Sequence, residues 1–387
     1  MRAIMKYLTV GALSLTAVLP TTVLADEIML PKTMAWTAYG TGSSGYAQIV
    51  AIGNMLQQKY GTSVRVLPGD NDVSRMTPLK TKRVDICACG IAAYYGSEGV
   101  LMFADQAWGP QPIRVITTSI ASFGLSLAVA NDIGVKTPAD LRGKRIAYIR
   151  GDDALNKGAE AYLAFGGLTW DDVIRVDYPG YARSFDGIVA GQVDASFSTT
   201  VAPPPQQLAS SPRGIAWPEL DHSDSEGWQR MRAVAPYFQP HMVTSGAGGI
   251  SADNPYQGAS YPYPIIVANS NMDEDTVYNL LKAINQGYDD FKDNAPGAAG
   301  YALDNQNMKW VVPFHDGVVK YYRELGIWTD DMQAHQDALV QRQQVLSQAW
   351  SDFMDNTPPE EQGAFEQAWL AARAQALEAQ GMNPVFR

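Results

Sequence analysis

What most limits the fold of this chain is a strand–helix alternation that occurs twice. Residues 33–39 read as a strand, 46–60 as a helix, 63–67 as a strand, 76–82 as a short helix and 84–89 as another strand. Strands separated by helices imply a parallel sheet with right-handed crossovers. A second unit of the same kind starts near Ser126. In it, Thr137-Pro138-Ala139-Asp140-Leu141 is a helix start, with Thr as N-cap and Pro at the first helical position. Strand 145–149, helix 154–165 ended by Gly166-Gly167, strand 174–176, helix 183–190 and strand 193–197 follow, and the prolines at 203–205 close the run.

After a stretch rich in Pro, Gly and Ser (235–264), residues 265–268 are strand-like. Residues 273–291 then form an amphipathic helix with Val277, Leu280, Leu281, Ile284 and Tyr288 on one side. Two α/β lobes joined by extended crossovers suit a clamshell, with the apolar segments 123–130 and 263–268 as the expected crossovers. The expected organisation is lobe one over 26–124, lobe two over 125–262, a return to lobe one over 263–330, and a helical extension over 331–387. In that extension Met332, Leu339, Leu346 and Phe353 recur every seven residues, and Thr357-Pro358-Pro359-Glu360 is a capping box opening a second helix that ends near Gly381. Two such helices are expected to pack back on their own lobe, leaving a monomer; the alternative is a hairpin that joins two copies or docks a partner.

Compartment and charge narrow the function. Arg2 and Lys6, the apolar run 8–19 and Val23-Leu24-Ala25 have the order of a secretory leader cleaved before Asp26. No later stretch reaches the roughly 18 uninterrupted apolar residues of a membrane span, so the mature chain is expected to be exported, periplasmic and soluble. Cleavage would remove two bases and no acid, moving the net charge from −11 to −13. So acidic a chain is a poor nucleic-acid binder. Cys87 and Cys89, the only cysteines, are expected to be two small buried core residues, since neighbours on one strand face seldom suit a disulfide. The four histidines are scattered without ligand spacing, so neither a metal nor another cofactor is expected.

The segment Gly40-Thr41-Gly42-Ser43-Ser44-Gly45 satisfies G-x-G-x-x-G at a strand-to-helix turn. A dinucleotide site would need an acid about 20 positions on, where TSVRV stands instead. A P-loop would need Lys and Ser or Thr after the second Gly, where Tyr46-Ala47 stands. A nucleophile elbow needs glycines two residues either side of the serine, and neither Ser43 nor Ser44 has both. What survives is a glycine-rich approach to a helix N-terminus, whose free N–H groups suit a carboxylate as well as a phosphate.

In order, TGSSGYAQIVAIGNML, NDVSRMTPLKTKRVDI, TPADLRGKRIAYIRG, GLTWDDV, GIVAGQVDASFS, DEDTVYNLLKAI and VPFHDGVVKYYRELGIW resemble the TAXI family, the exported solute-binding proteins of TRAP-type secondary transporters. The resemblance runs from about Thr37 to Trp328. It implies an α/β, two-lobed, type II-like periplasmic-binding fold, no catalysis, and delivery of a small carboxylate-bearing solute, an organic acid or amino acid, to a TRAP membrane subunit. Three loops depart from the family pattern. Tyr46-Ala47-Gln48 replaces the later Gly, Thr and Tyr of the first loop, Gly90-Ile91 stands where polar side chains are usual, and Arg150-Gly151-Asp152-Asp153 replaces a G-S-G-T-like turn. Alternatives outside this reading are a receptor for an ABC transporter or sensor, an exported hydrolase using Ser43 or Ser44, and an interaction protein working through its tail.

In α/β lobes ligands sit off the carboxyl ends of parallel strands. That rule selects Gly42, Ser43, Ser44 and Gly45, then Gly90 and Ile91, then Arg150 with Asp152, and then Ser198 and Thr199. Arg150, directly after a strand, is expected to grip a carboxylate bidentately. Arg183, at a helix start, is a second cationic candidate. Asp152 could accept an ammonium group or cap the following helix. Tyr237 could wall the cleft or pack in the core.

Overall fold

The structure, a computed structural model, describes residues 27–386, so the leader expected over 1–25 lies outside the described residues. Among those residues the strands form two five-stranded sheets and one two-stranded ribbon. The chain starts the first sheet with β1 (Thr33–Tyr39), β2 (Ser63–Gly69), β3 (Ile86–Ala88) and β4 (Ile113–Thr118), interleaved with α1 (Ser44–Tyr60), α2 (Asp72–Lys80) and α3 (Ala92–Glu98). It then crosses to a second sheet made of β5 (Leu125–Ala130), β6 (Arg145–Ile149), β7 (Ile174–Tyr178), β8 (Ala195–Thr199) and β9 (Ile215–Ala216). Helices α4 (Asp153–Phe165), α5 (Tyr181–Val189), α6 (Pro203–Ala209) and α7 (Ser225–Val234) serve this lobe, with the ribbon β10 (Gln239–Val243) and β11 (Tyr256–Ser260). The chain returns through β12 (Ile265–Asn269) and ends with α8 (Glu274–Gln286), α9 (Tyr288–Phe291), α10 (Asp316–Glu324), α11 (Asp330–Asp355) and α12 (Gln362–Ala379).

The first sheet has the order β2-β1-β3-β12-β4 and the second β7-β6-β8-β5-β9. Within each, the βαβ units pair in parallel: β1 with β2 and β3, β6 with β7 and β8. The strands that follow a crossing, β5 and β12, run antiparallel to their neighbours, because each enters its sheet from the side of the other lobe. The result is the two-lobed α/β fold with a C-terminal helical region. The apolar segments 123–130 and 263–268 are mostly these two strands, buried on both faces as strands inside a helix-covered sheet must be. The connections themselves are shorter, 119–124 and 261–264.

Several boundaries move for local reasons. Ser43 caps α1, its hydroxyl accepting from the Tyr46 N–H at 3.1 Å, so the helix starts two residues before the apolar pattern does. Asn71 and Ser74 form a capping box that starts α2 at Asp72 rather than at 76. The prolines at 203–205 open α6, with their fixed φ suited to a first turn, instead of closing the unit. The expected single helix over 273–291 breaks at Gly287 into α8 and α9. Thr357 does not cap the last helix; Glu361 does, its carboxylate accepting from Gly363 and Ala364 N–H groups. Cys87 and Cys89, expected as separate thiols, are joined as a disulfide: β3 ends between them, and their Cα atoms lie 5.4 Å apart, inside the range a disulfide spans.

Both terminal helices pack on lobe one. Gln336 of α11 pairs with both backbone groups of Phe314 at 2.8 Å, standing in for a strand neighbour. Arg342 binds both carboxylate oxygens of Glu98 (2.7 and 2.8 Å), and Arg373 of α12, fully buried, reaches the same carboxylate. Trp369 donates to the Gly99 carbonyl at 2.6 Å and packs edge-on against Trp350.

Candidate functional site

The strand ends of the two lobes face each other across a cavity of about 360 Å³. Lobe one supplies the turn after β1 (Tyr39 to Ser44), Asp70 and Arg75 after β2, and Cys89-Gly90-Ile91 after β3. Lobe two supplies Asp152 after β6, Pro179 to Arg183 after β7, and Ser198 and Thr199 at the end of β8. The start of β5 adds Leu125, and the second connection adds Tyr261 and Tyr263. Aromatic rings line it from both lobes, Phe197 and Tyr181 from lobe two, Tyr39 from lobe one, and Tyr261 and Tyr263 from the second connection.

The first turn has the geometry its glycines allow. Ser43 donates to the Gly40 carbonyl at 2.9 Å while capping α1, so its hydroxyl is committed to the helix start. Gly45 lies just behind the wall: a Cβ there would sit 2.5 Å from a Tyr39 ring carbon and 2.8 Å from the Tyr263 hydroxyl. Gly90 has φ +55, and a Cβ on it would meet the Tyr39 hydroxyl at 2.5 Å. Small residues at 45 and 90 thus let Tyr39 and Tyr263 close together, their ring centroids 5.0 Å apart.

Beneath this wall lies a buried ionic cluster that spans the lobes. Arg75 is 3 % exposed, stacks over the Tyr39 ring at 4.4 Å, and pairs with Asp72 of its own helix and with Asp152 of lobe two at 3.7 Å. Asp72 also accepts from the Ala154 N–H at 2.9 Å, and its own N–H donates to the Gly151 carbonyl at 3.1 Å, so a lobe-one carboxylate caps a lobe-two helix. Asp152 caps the same helix through the Leu155 N–H at 3.1 Å, and Asp153 accepts from the Met102 N–H of lobe one at 2.8 Å. Burial pushes the Asp72 carboxyl well above the ordinary range, reinforced by Asp152 and opposed by Arg75. Burial raises Asp152 too, again against the pull of Arg75. Two carboxylates and one guanidinium therefore sit together in a place that disfavours charge.

Other contacts join the lobes around the cavity. The Ser44 and Thr199 hydroxyls lie 3.1 Å apart across it, and Tyr181 and Ser198 share a hydroxyl bond of 2.6 Å on the lobe-two side. Tyr95 of α3 and Tyr237 of lobe two are hydrogen-bonded through their hydroxyls.

Of the residues selected from the sequence, Gly42, Ser43, Ser44, Gly90, Ile91, Asp152, Arg183, Ser198 and Thr199 are brought together around the cavity. Gly45, Arg150 and Tyr237 are not. Arg150 points to solvent, its side chain 69 % exposed and its nearest carboxylate, Asp177, 3.8 Å away; only its backbone N–H is engaged, on the Tyr178 carbonyl. Tyr237 is buried against Tyr95, Tyr261 and Phe238. Arg183 stands at the rim, 75 % exposed and 3.5 Å from Asp186. Asp70, Arg75, Tyr181 and the tyrosines at 39, 261 and 263 were missed. The strand-end rule, applied equally to β2 and β7, would have reached Asp70 and Tyr181, but not Arg75, which lies inside α2. The tyrosines of the second connection had no such signal. Among the described residues no histidine lines the cavity, no group of His, Cys, Asp and Glu is arranged to hold a metal ion, and no helix is long and apolar enough to cross a membrane.

Solved structures with a similar course share little sequence with this chain. The alkanesulfonate-binding protein SsuA from Xanthomonas axonopodis pv. citri, bound to MOPS, is 16% identical over 92% of this chain and 95% of its own, with a TM-score of 0.44. An ancestral arginine-binding protein bound to arginine is 12% identical over 68% of this chain and 98% of its own, with a TM-score of 0.41. The periplasmic aliphatic sulphonate binding protein SsuA from Escherichia coli is 14% identical over 72% and 84%, with a TM-score of 0.39. A family profile, by contrast, matches residues 37–326, which takes in every strand end around the cavity, and the chain belongs to the NMT1-like family.

Proposed function

We propose that this chain is an extracytoplasmic solute receptor that closes its two lobes on a small carboxylate-bearing solute and delivers it to a TRAP-type membrane permease. The observation that carries the reading is the cavity between the lobes, roofed by contacts from both, such as Ser44 with Thr199 and Asp72 with Ala154. A solute touching both lobes favours the closed arrangement over the open one, which is how a binding event becomes a signal to a membrane partner. The leader-like residues 1–25 support export to the periplasm, and the TAXI-like motifs support the permease class. A hydrolase reading has less support, since Ser43 is tied to the helix cap and Ser44 faces a hydroxyl rather than a base.

The test is calorimetric titration of the chain from Asp26 to Arg387, unfolded and refolded to strip carried-over solute, followed by uptake assays. Binding of one small solute, with ion-gradient-driven uptake through the permease, supports the proposal. Uptake that requires ATP hydrolysis would place the receptor with an ABC importer instead.

A further inference from the structure

Resting on the receptor reading, we infer that the solute is a ring-bearing monocarboxylate rather than a dicarboxylate or an acidic amino acid. Two independent features of the cavity lead there. The first is its wall, to which lobe two contributes the rings of Tyr181 and Phe197, lobe one Tyr39, and the second connection Tyr261 and Tyr263. Five rings drawn from both lobes and the connection into one cavity offer apolar faces and edges, which reward a flat apolar body and give little to a short polar chain.

The second is the balance of charge. Arg75 is the buried cation of the cavity, and Asp72 and Asp152 already face it, so no positive charge is left over in the interior. A carboxylate driven inside would join two others around one guanidinium without a cation of its own. The remaining lining cation, Arg183, stands exposed on the first turn of α5, a helix whose N-terminus has no side-chain cap; Asp186, 3.5 Å from it, is itself exposed, so water screens that pair and leaves the guanidinium open to an anion. One anionic group fits there while the ring goes inward. A second anionic group has nowhere to go.

The experiment is calorimetry on the refolded chain with benzoate, phenylacetate and 3-phenylpropanoate against succinate, glutarate, glutamate, glutamine and glucose. The expected result is that the best ring acid binds at least about tenfold tighter than any dicarboxylate or amino acid. It is further expected that Tyr181→Leu weakens that acid about fivefold or more while Tyr181→Phe, which keeps the ring, retains it. Tighter binding of succinate, glutarate, glutamate, glutamine or glucose overturns the inference and leaves the receptor reading standing. Binding of no probe at all overturns both. Equal losses in Tyr181→Leu and Tyr181→Phe show that the hydroxyl bond to Ser198, not the ring, matters, and also overturn the inference.

Discussion

Arg75 and Arg150 show how little a residue type says about its role until its surroundings are known. Both follow a parallel strand, yet one is buried in a cross-lobe ion cluster and the other is solvated. Replacing Arg75 by Met leaves Asp72 and Asp152 buried without their cation, and a loss of about 3–5 kcal/mol in unfolding free energy is expected, measured by urea denaturation. Arg150→Ala removes only an exposed contact of 3.8 Å and is expected to leave both stability and solute affinity unchanged within about 0.5 kcal/mol. Asp72 makes a pH prediction of unusual sign. Its carboxyl is held above the ordinary 3.8 in the folded state, so as pH falls from neutral toward 3.8 the folded chain takes up this proton before the unfolded chain does. Through this group, stability rises as pH falls across that window. Urea midpoints at pH 7 and pH 5 are expected to shift more favourably on acidification in the native chain than in Asp72→Asn; equal shifts would contradict the assignment.

At the scale of elements, the two last helices are part of lobe one rather than an appendage. Glu98 holds two arginines from two different helices, Arg342 and Arg373, and Arg373 also donates to the Pro384 carbonyl at 2.7 Å, tying the chain end into the same cluster. Phe386 then packs against Tyr94 and Tyr95. Glu98→Ala is expected to cost about 3–5 kcal/mol because it strands a fully buried guanidinium. Trp369→Ala, which opens a cavity beside Trp350 and Phe353, is expected to cost a similar amount. Thermal unfolding is expected to show one transition in both, since helix and lobe share one packed interface; a separate early transition of the extension would refute this.

Over the whole molecule, hydrogen bonds join the lobes in and beside the cavity, alongside ring packing such as Tyr95 on Tyr237. Tyr95 with Tyr237, Met102 with Asp153, Ala154 with Asp72 and Ser44 with Thr199 each join a lobe-one group to a lobe-two group. Hydrogen bonds of this kind contribute about 1 kcal/mol each, a scale on which closure stays reversible. Tyr237→Phe removes one of them outside the cavity. It is expected to weaken solute binding about fivefold with little change in unfolding free energy, and to increase the radius of gyration of the solute-free chain in small-angle scattering. An unchanged radius and unchanged affinity would show that this pair does not bear on closure.

The amino-acid sequence alone determined the two strand–helix units, since period-two and period-3.6 segments with their caps and glycines are local properties. It also determined that the turns after β1, β3 and β8 would lie together at the strand ends, where the cavity is, because that follows from connectivity in a parallel sheet. It could not determine which strand-end side chain turns inward. Arg75 lies inside α2 between Tyr39 and Asp72 of its own lobe and Asp152 of the other, whereas Arg150 follows β6 directly and is exposed, and no local pattern carries that difference. Nor could it reach Tyr261 and Tyr263, which lie on a connection and become walls only when two sheets far apart in sequence face each other. The disulfide of Cys87 with Cys89 is local, and it is set by where β3 ends between the two cysteines. The burial of Arg373 on Glu98 joins residues far apart in sequence, and the tertiary structure decided it.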